Sequence, residues 1–115
     1  MPVNKKILKI IEEAEQLSRM LFGDKMFDFY LYGSYARGDY NKYSDIDLLI
    51  TLDLTDNQII KYRTSILDIT NKLIKKYDIM VSFVMVPIDR FVRFSKILPF
   101  YRNVVKEGIN YGKRR

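Results

Sequence analysis

Residues 45–52 read DIDLLITL and constrain the chain more than any other segment. A run this rich in branched aliphatics reads as a strand made to be buried. Yet two aspartates, Asp45 and Asp47, stand at its start. A carboxylate in apolar surroundings costs several kcal/mol unless a cation, a cap or a metal ion compensates it. Residues two apart along a strand share a face. The spacing therefore predicts Asp45 and Asp47 side by side, with Cα atoms about 6.6 Å apart, and Ile46, Leu48 and Ile50 turned the other way into a core. Two adjacent carboxylates repel each other, and a divalent cation between them removes the conflict.

Composition narrows the chemistry available to that pair. The 115 residues contain no cysteine and no histidine. Disulfides, thiolate and imidazole zinc sites, histidine bases and Ser-His-Asp triads are thereby excluded. Any metal must bind to oxygen, which favours Mg²⁺ or Mn²⁺ and admits Ca²⁺. The length suits one compact domain spanning 1–115. A formal charge of +6 favours anionic partners such as nucleotides, RNA or an acidic protein face. No apolar run approaches the roughly 20 residues of a membrane span. Glu12, Glu13 and Glu15 interrupt the N-terminal segment, so it lacks the pattern of a signal peptide. The expectation is a cytoplasmic protein without membrane contact.

Along the chain, Asn4 is placed to cap a first helix whose apolar face is Ile7, Ile10, Ile11, Ala14, Leu17 and Leu21, stopped at Gly23. Residues 26–32, MFDFYLY, read as a strand and residues 45–52 as a second. Thr55 or Asp56 can cap another helix with Ile59, Ile60, Ile66, Leu67, Leu73 and Ile74 on its apolar side. Residues 78–86 predict a third strand, ended by Pro87. Asp89 can cap a short helix, and Pro99 suits the start of another that Gly108 closes. The tail INYGKRR reads as basic and frayed, its Lys113-Arg114-Arg115 end either solvated or in contact with nucleic acid or an acidic protein. The order predicts an α/β (α+β) fold in which helices flank a small mixed sheet.

Gly33-Ser34 ends the first strand. Glycine permits positive φ and close approach of a backbone to phosphate. Ser34 can cap the turn that follows, leaving N–H groups aimed outward, and such a helix start binds phosphate oxygens. Arg37, between this turn and the aspartates, can neutralise a phosphate. A phosphate cradle, a metal clamp and an arginine together suit phosphoryl or nucleotidyl transfer, where catalysis is mostly positioning and charge stabilisation. Tyr30, Tyr32, Tyr35, Tyr40 and Tyr43 surround the motif, either as a stacking platform for a base or as half-buried packing. Phe91, Phe94, Phe100 and Tyr101 fall at helical spacing, as core or as a surface for a partner protein.

The segment GSYARGDYNKYSDIDLLI, with Gly33-Ser34, ten residues, then Asp45-x-Asp47 and an apolar run, resembles the signature of the DNA polymerase beta-like nucleotidyltransferase superfamily. It looks like the minimal, single-domain branch, which includes MntA-type antitoxins and is often encoded beside a HEPN-domain ribonuclease toxin. The resemblance implies that fold. It implies Gly33 and Ser34 on a nucleoside triphosphate, Asp45 and Asp47 as catalytic ligands of Mg²⁺, and transfer of AMP from ATP to a tyrosine of a HEPN partner. It also implies a third carboxylate on a later strand. In YDIMVSFVMV the candidate positions are Asp78, at the strand start, and Ser82, where the acidic residue usually falls. With serine there, the alternative is a catalytically degenerate domain that masks its partner by contact alone. Self-association is compatible with a domain this small.

Overall fold

The computed structural model describes residues 3–112. Helix α1 (Lys5–Phe22) begins where the Asn4 side chain accepts a hydrogen bond from the Ile7 amide at 2.9 Å, satisfying a donor that helix starts leave open. It stops at Gly23, whose φ of 59° suits glycine. Ile7, Ile10, Ile11 and Ala14 are buried as predicted, but the stripe continues through Ser18 and Phe22, leaving Leu17 and Leu21 at its margin.

Four strands form one mixed sheet in the order β3-β2-β1-β4. Strands β1 (Met26–Tyr32) and β2 (Ile46–Leu52) are antiparallel. Strand β3 (Val81–Pro87) runs parallel to β2, and the two-residue β4 (Ile109–Asn110) pairs antiparallel with β1. The aliphatic run is thus a central strand, paired on both sides. Asp45 lies just ahead of it, not in it. Both faces of β2 are covered. Ile46, Leu48, Ile50 and Leu52 join the larger core with α1, and Leu49 enters a second cluster with Val86, Phe91 and Val104. The sequence predicts a core on one face only. The second core exists because α5 (Ile88–Phe94) and α6 (Pro99–Glu107) fold back over the sheet. Each fully buried Leu or Ile contributes roughly 1.5–3 kcal/mol.

The helical segment after Thr55 is two helices, not the single one predicted. Thr55 and Gln58 close a capping box on α3 (Asp56–Ile60), and α4 (Arg63–Tyr77) follows. No glycine or proline breaks them. The Lys61 and Tyr62 amides bond three residues back, to Gln58 and Ile59. This tightened turn accompanies the packing of the Tyr62 ring on Phe22, with centroids 4.8 Å apart. Ile59, Ile66 and Leu73 are buried, Ile74 is half-buried, and Ile60 and Leu67 face solvent.

Three further corrections concern element ends. Asp78 is not on β3; it caps α4 in the left-handed region, φ 56°, and its amide bonds to Ile74. Asp89 lies inside the first turn of α5, and Pro87 holds the N-cap position. Residues 109–112 are not frayed. Asn110 accepts from the Phe29 amide at 3.1 Å and the Gly112 amide at 2.9 Å, and donates to Asp28 at 2.9 Å. Lys113, Arg114 and Arg115 lie outside the described residues. Among those described, no helix is long and apolar enough to cross a membrane.

Candidate active site

The site begins where β1 ends and β2 and β3 begin. Register places Tyr32 opposite Asp47, and Asp47 beside Ser82. These three residues form one row across the sheet, on one face. It is the face that α5 and α6 cover. The chain leaves β1 through Gly33, at φ 79° and ψ −157°, and enters the short helix α2 (Ser34–Arg37); Gly33, not Ser34, holds the N-cap position, and no side chain caps this helix. A Cβ on Gly33 would overlap the Asp47 carboxylate. The backbone angle therefore favours glycine here, and a larger residue would also push the Asp47 carboxylate aside. Ser34 and Arg37 stand with Tyr32, Gly33 and Asp47 around a cleft of about 420 Å³, and Phe100, Asn103, Val104 and Glu107 of α6 form its opposite wall.

Burial, and then the charge of Asp45, push the Asp47 carboxyl above its usual range; Arg37 opposes them. Asp45 is exposed and not among the residues lining the cleft, but its field reaches both Asp47 and Tyr35. Burial, with Asp47 beside it, holds the Tyr32 phenol up at about 12, so it stays protonated at neutral pH. Arg37 is shared out: its Nε lies 3.2 Å from Asp39 and its Nη1 3.6 Å from Glu107. Among the described residues, no hydrogen bond or ion pair engages the carboxylate of Asp45 or Asp47. Two mutually repelling oxygen donors that no cation pairs with directly among the described residues fit a hard divalent ion such as Mg²⁺.

A family model described as nucleotidyltransferase domain matches residues 5–111. The chain belongs to this family. Two relatives from Methanocaldococcus jannaschii carry provisional names as protein adenylyltransferases. One, MJ0604, is 34% identical over 102 residues, covering 87% of this chain and 92% of the relative. The other, MJ0141, is 37% identical over 76 residues, 66% of this chain and 75% of the relative. Among solved structures, a toxin-antitoxin MntA-HpeT variant superposes with a TM-score of 0.58 at 20% identity, over 90% of this chain and 74% of that one. A toxin-antitoxin structure with AMP-PNP gives 0.54 at 22% identity, over 95% and 73%. At these identities the likeness is one of fold.

Within this nucleotidyltransferase domain, the two candidates for a third acidic position separate. Asp78 is an exposed helix cap, three residues before β3 starts. Ser82 holds the place next to Asp47. Among the described residues, no three acidic side chains come together as a metal cluster would need. Of the five tyrosines near the motif, Tyr32 lines the cleft. Tyr35 and Tyr40 stack on each other at 4.4 Å, Tyr30 packs on Phe91, and Tyr43 is exposed. Asn103 and Glu107 escape the sequence reading. Their only signal is spacing: residues 100, 103 and 107 share one face of a helix, and only docking of α6 on β1 makes that face a wall. A second cleft, of about 460 Å³, lies at the other end of the sheet beyond Leu52 and Pro87. It is about 17 Å along β2 from Asp47, and its Arg90 is paired with Asp56.

Proposed function

We propose that this nucleotidyltransferase domain transfers AMP from ATP to a tyrosine hydroxyl of a partner protein, a HEPN-family ribonuclease toxin that the modification silences in the cytoplasm. The observation that carries the reading is the Asp47 carboxylate packed on Gly33, so that an acidic donor and a phosphate-type turn share one cleft. Asp45 and Asp47 would hold Mg²⁺, which supplies charge neutralisation and polarisation of the triphosphate when bound. Gly33 lets the chain approach the phosphates, and donors at the start of α2, Ser34 among them, receive phosphate oxygens. Arg37 exchanges Asp39 and Glu107 for phosphate charge. The tyrosine oxygen attacks the α-phosphorus, the bond from that phosphorus to the bridging oxygen breaks, and pyrophosphate leaves. The acceptor's proton passes to water.

The test is the intact mass of a HEPN-family protein co-expressed with this chain. One added AMP is expected with the wild type and none with Asp47→Asn; equal labelling in both would defeat the reading. Ser82 beside Asp47 favours one alternative, a domain that binds and masks its partner without chemistry. That alternative predicts a tightly bound partner of unchanged mass.

A further inference from the structure

We propose that α6 supplies the base-reading wall of this cleft: Phe100 stacks the nucleobase and Asn103 selects adenine. The inference rests on the nucleotidyltransferase reading above and adds the specificity that the phosphate-binding end cannot supply. Gly33, Ser34, Arg37 and Asp47 meet charge and offer nothing that distinguishes one base from another. Whatever chooses the base must lie elsewhere in the cleft, and the wall facing those residues is α6.

Phe100 is a large aromatic with 45% of its surface exposed. Tyr32 holds it edge to face, with centroids 5.5 Å apart and planes at 86°. Tyr101 packs on it as well, with centroids 5.8 Å apart, so the ring is held by two neighbours while part of it lines the cleft, as a stacking platform requires. Tyr32, which meets this platform, is also the neighbour of Asp47 across the β1–β2 ladder. One turn along the same helix face stands Asn103, whose amide makes no hydrogen bond among the described residues and lines the cleft. An amide presents one acceptor and one donor side by side. That pair matches the 6-amino donor and adjacent ring-nitrogen acceptor of adenine. Guanine presents two acceptors along the corresponding edge, so one half of the amide would face a like group. Glu107, the other polar residue of this wall, lies 3.6 Å from Arg37 and offers only acceptors, which cannot supply the paired donor and acceptor that adenine matches.

The experiment is calorimetric binding of ATP, GTP and inorganic triphosphate, each with Mg²⁺, to the full chain and to Asn103→Ala, Phe100→Ala and Phe100→Leu. ATP is expected to bind the wild type at least tenfold more tightly than GTP. Asn103→Ala should bring the two together, and both Phe100 variants should weaken ATP by about 5- to 100-fold. All three should leave inorganic triphosphate unchanged. Phe100→Leu keeps an apolar side chain on the helix, so its loss reports stacking and not folding. Equal affinity of ATP and GTP for the wild type, or ATP binding indifferent to all three variants, overturns the inference and leaves the transferase reading standing. Failure of the wild type to bind ATP and triphosphate alike overturns both.

Discussion

Gly33→Ala tests the geometry on which the site depends, and Gly23→Ala supplies its control. Both glycines hold positive φ, 79° at Gly33 and 59° at Gly23. A side chain forced into such a region costs about 1–3 kcal/mol. The surroundings differ. A Cβ on Gly23 meets nothing within 4 Å, whereas on Gly33 it would overlap the Asp47 carboxylate oxygen and stand 3.3 Å from the carboxyl carbon. Overpacking of that kind adds roughly 1–3 kcal/mol. Gly33→Ala should therefore cost about 2–6 kcal/mol in all, and Gly23→Ala only the backbone share. Urea unfolding reads the difference: with a slope of about 1–3 kcal/mol/M, the Gly33 variant should melt about 1 M below the Gly23 variant. In an Asp47→Ala background the excess should vanish, because the remaining Cβ contact, 3.5 Å, is ordinary. Equal costs for the two glycines, or an excess that survives removal of the Asp47 carboxylate, would refute the claim that this side chain is packed on the turn.

Burial and the Asp45 charge raise the Asp47 carboxyl above its ordinary 3.8, so the folded chain binds that proton more tightly than the unfolded one. Stability from this group falls as pH rises from the ordinary value through the folded one. Asp47→Asn should accordingly be more stable than the wild type at pH 7, and the gap should close below about pH 3 in urea titrations. Leu73→Ala, at a fully buried site on α4, should cost about 2–5 kcal/mol, while Leu67→Ala on the exposed side should stay within about 0.5 kcal/mol; similar costs would mean that the buried face of α4 is wrongly assigned. Asn110→Ala removes three hydrogen bonds and should cost about 2–3 kcal/mol. Hydrogen exchange should then show the Phe29 and Gly112 amides losing protection while that of Ile50 keeps it.

Elements whose cause is local were legible in the sequence. Asn4 and Gly23 bound α1, and β1 follows from an aromatic-rich run, interrupted by Asp28, with Gly33 at its end. Pro99 and Gly108 bound α6 because each acts through its own backbone. What stayed hidden depends on partners distant in the chain. The turn between α3 and α4 contains no breaker and accompanies the packing of Tyr62 on Phe22. Strand β4 looks like a tail because its pairing is secured by Asn110 reaching Asp28 and Phe29, some eighty residues earlier. Asp78 looks like the start of a strand because periodicity cannot reveal that the helix before it ends in a left-handed cap. The site divides in the same way: Gly33, Ser34 and Asp47 belong to a spaced motif and line the cleft, Asp45 of that motif does not, and Asn103 and Glu107 become cleft residues only once α6 docks.

The two clefts differ in what they bring together, and that difference points to the one read as the site. The larger cleft holds charged groups, among them Arg90 paired with Asp56, but no glycine turn packed on a carboxylate. In the cleft at Gly33 the departures from local rules accumulate. Asp47 is raised by burial and by a like charge, a large aromatic is half open, and the exposed Asn103 amide makes no hydrogen bond among the described residues. The first of these weakens the fold, and sequences keep such an exception chiefly where another demand outweighs stability. A cation would relieve the two carboxylates, phosphate would replace the shared counter-ions of Arg37, and a base would cover the open ring. One molecule, a metal-bound nucleoside triphosphate, answers all three deficits at once, which is why the proposed function is read from the smaller cleft.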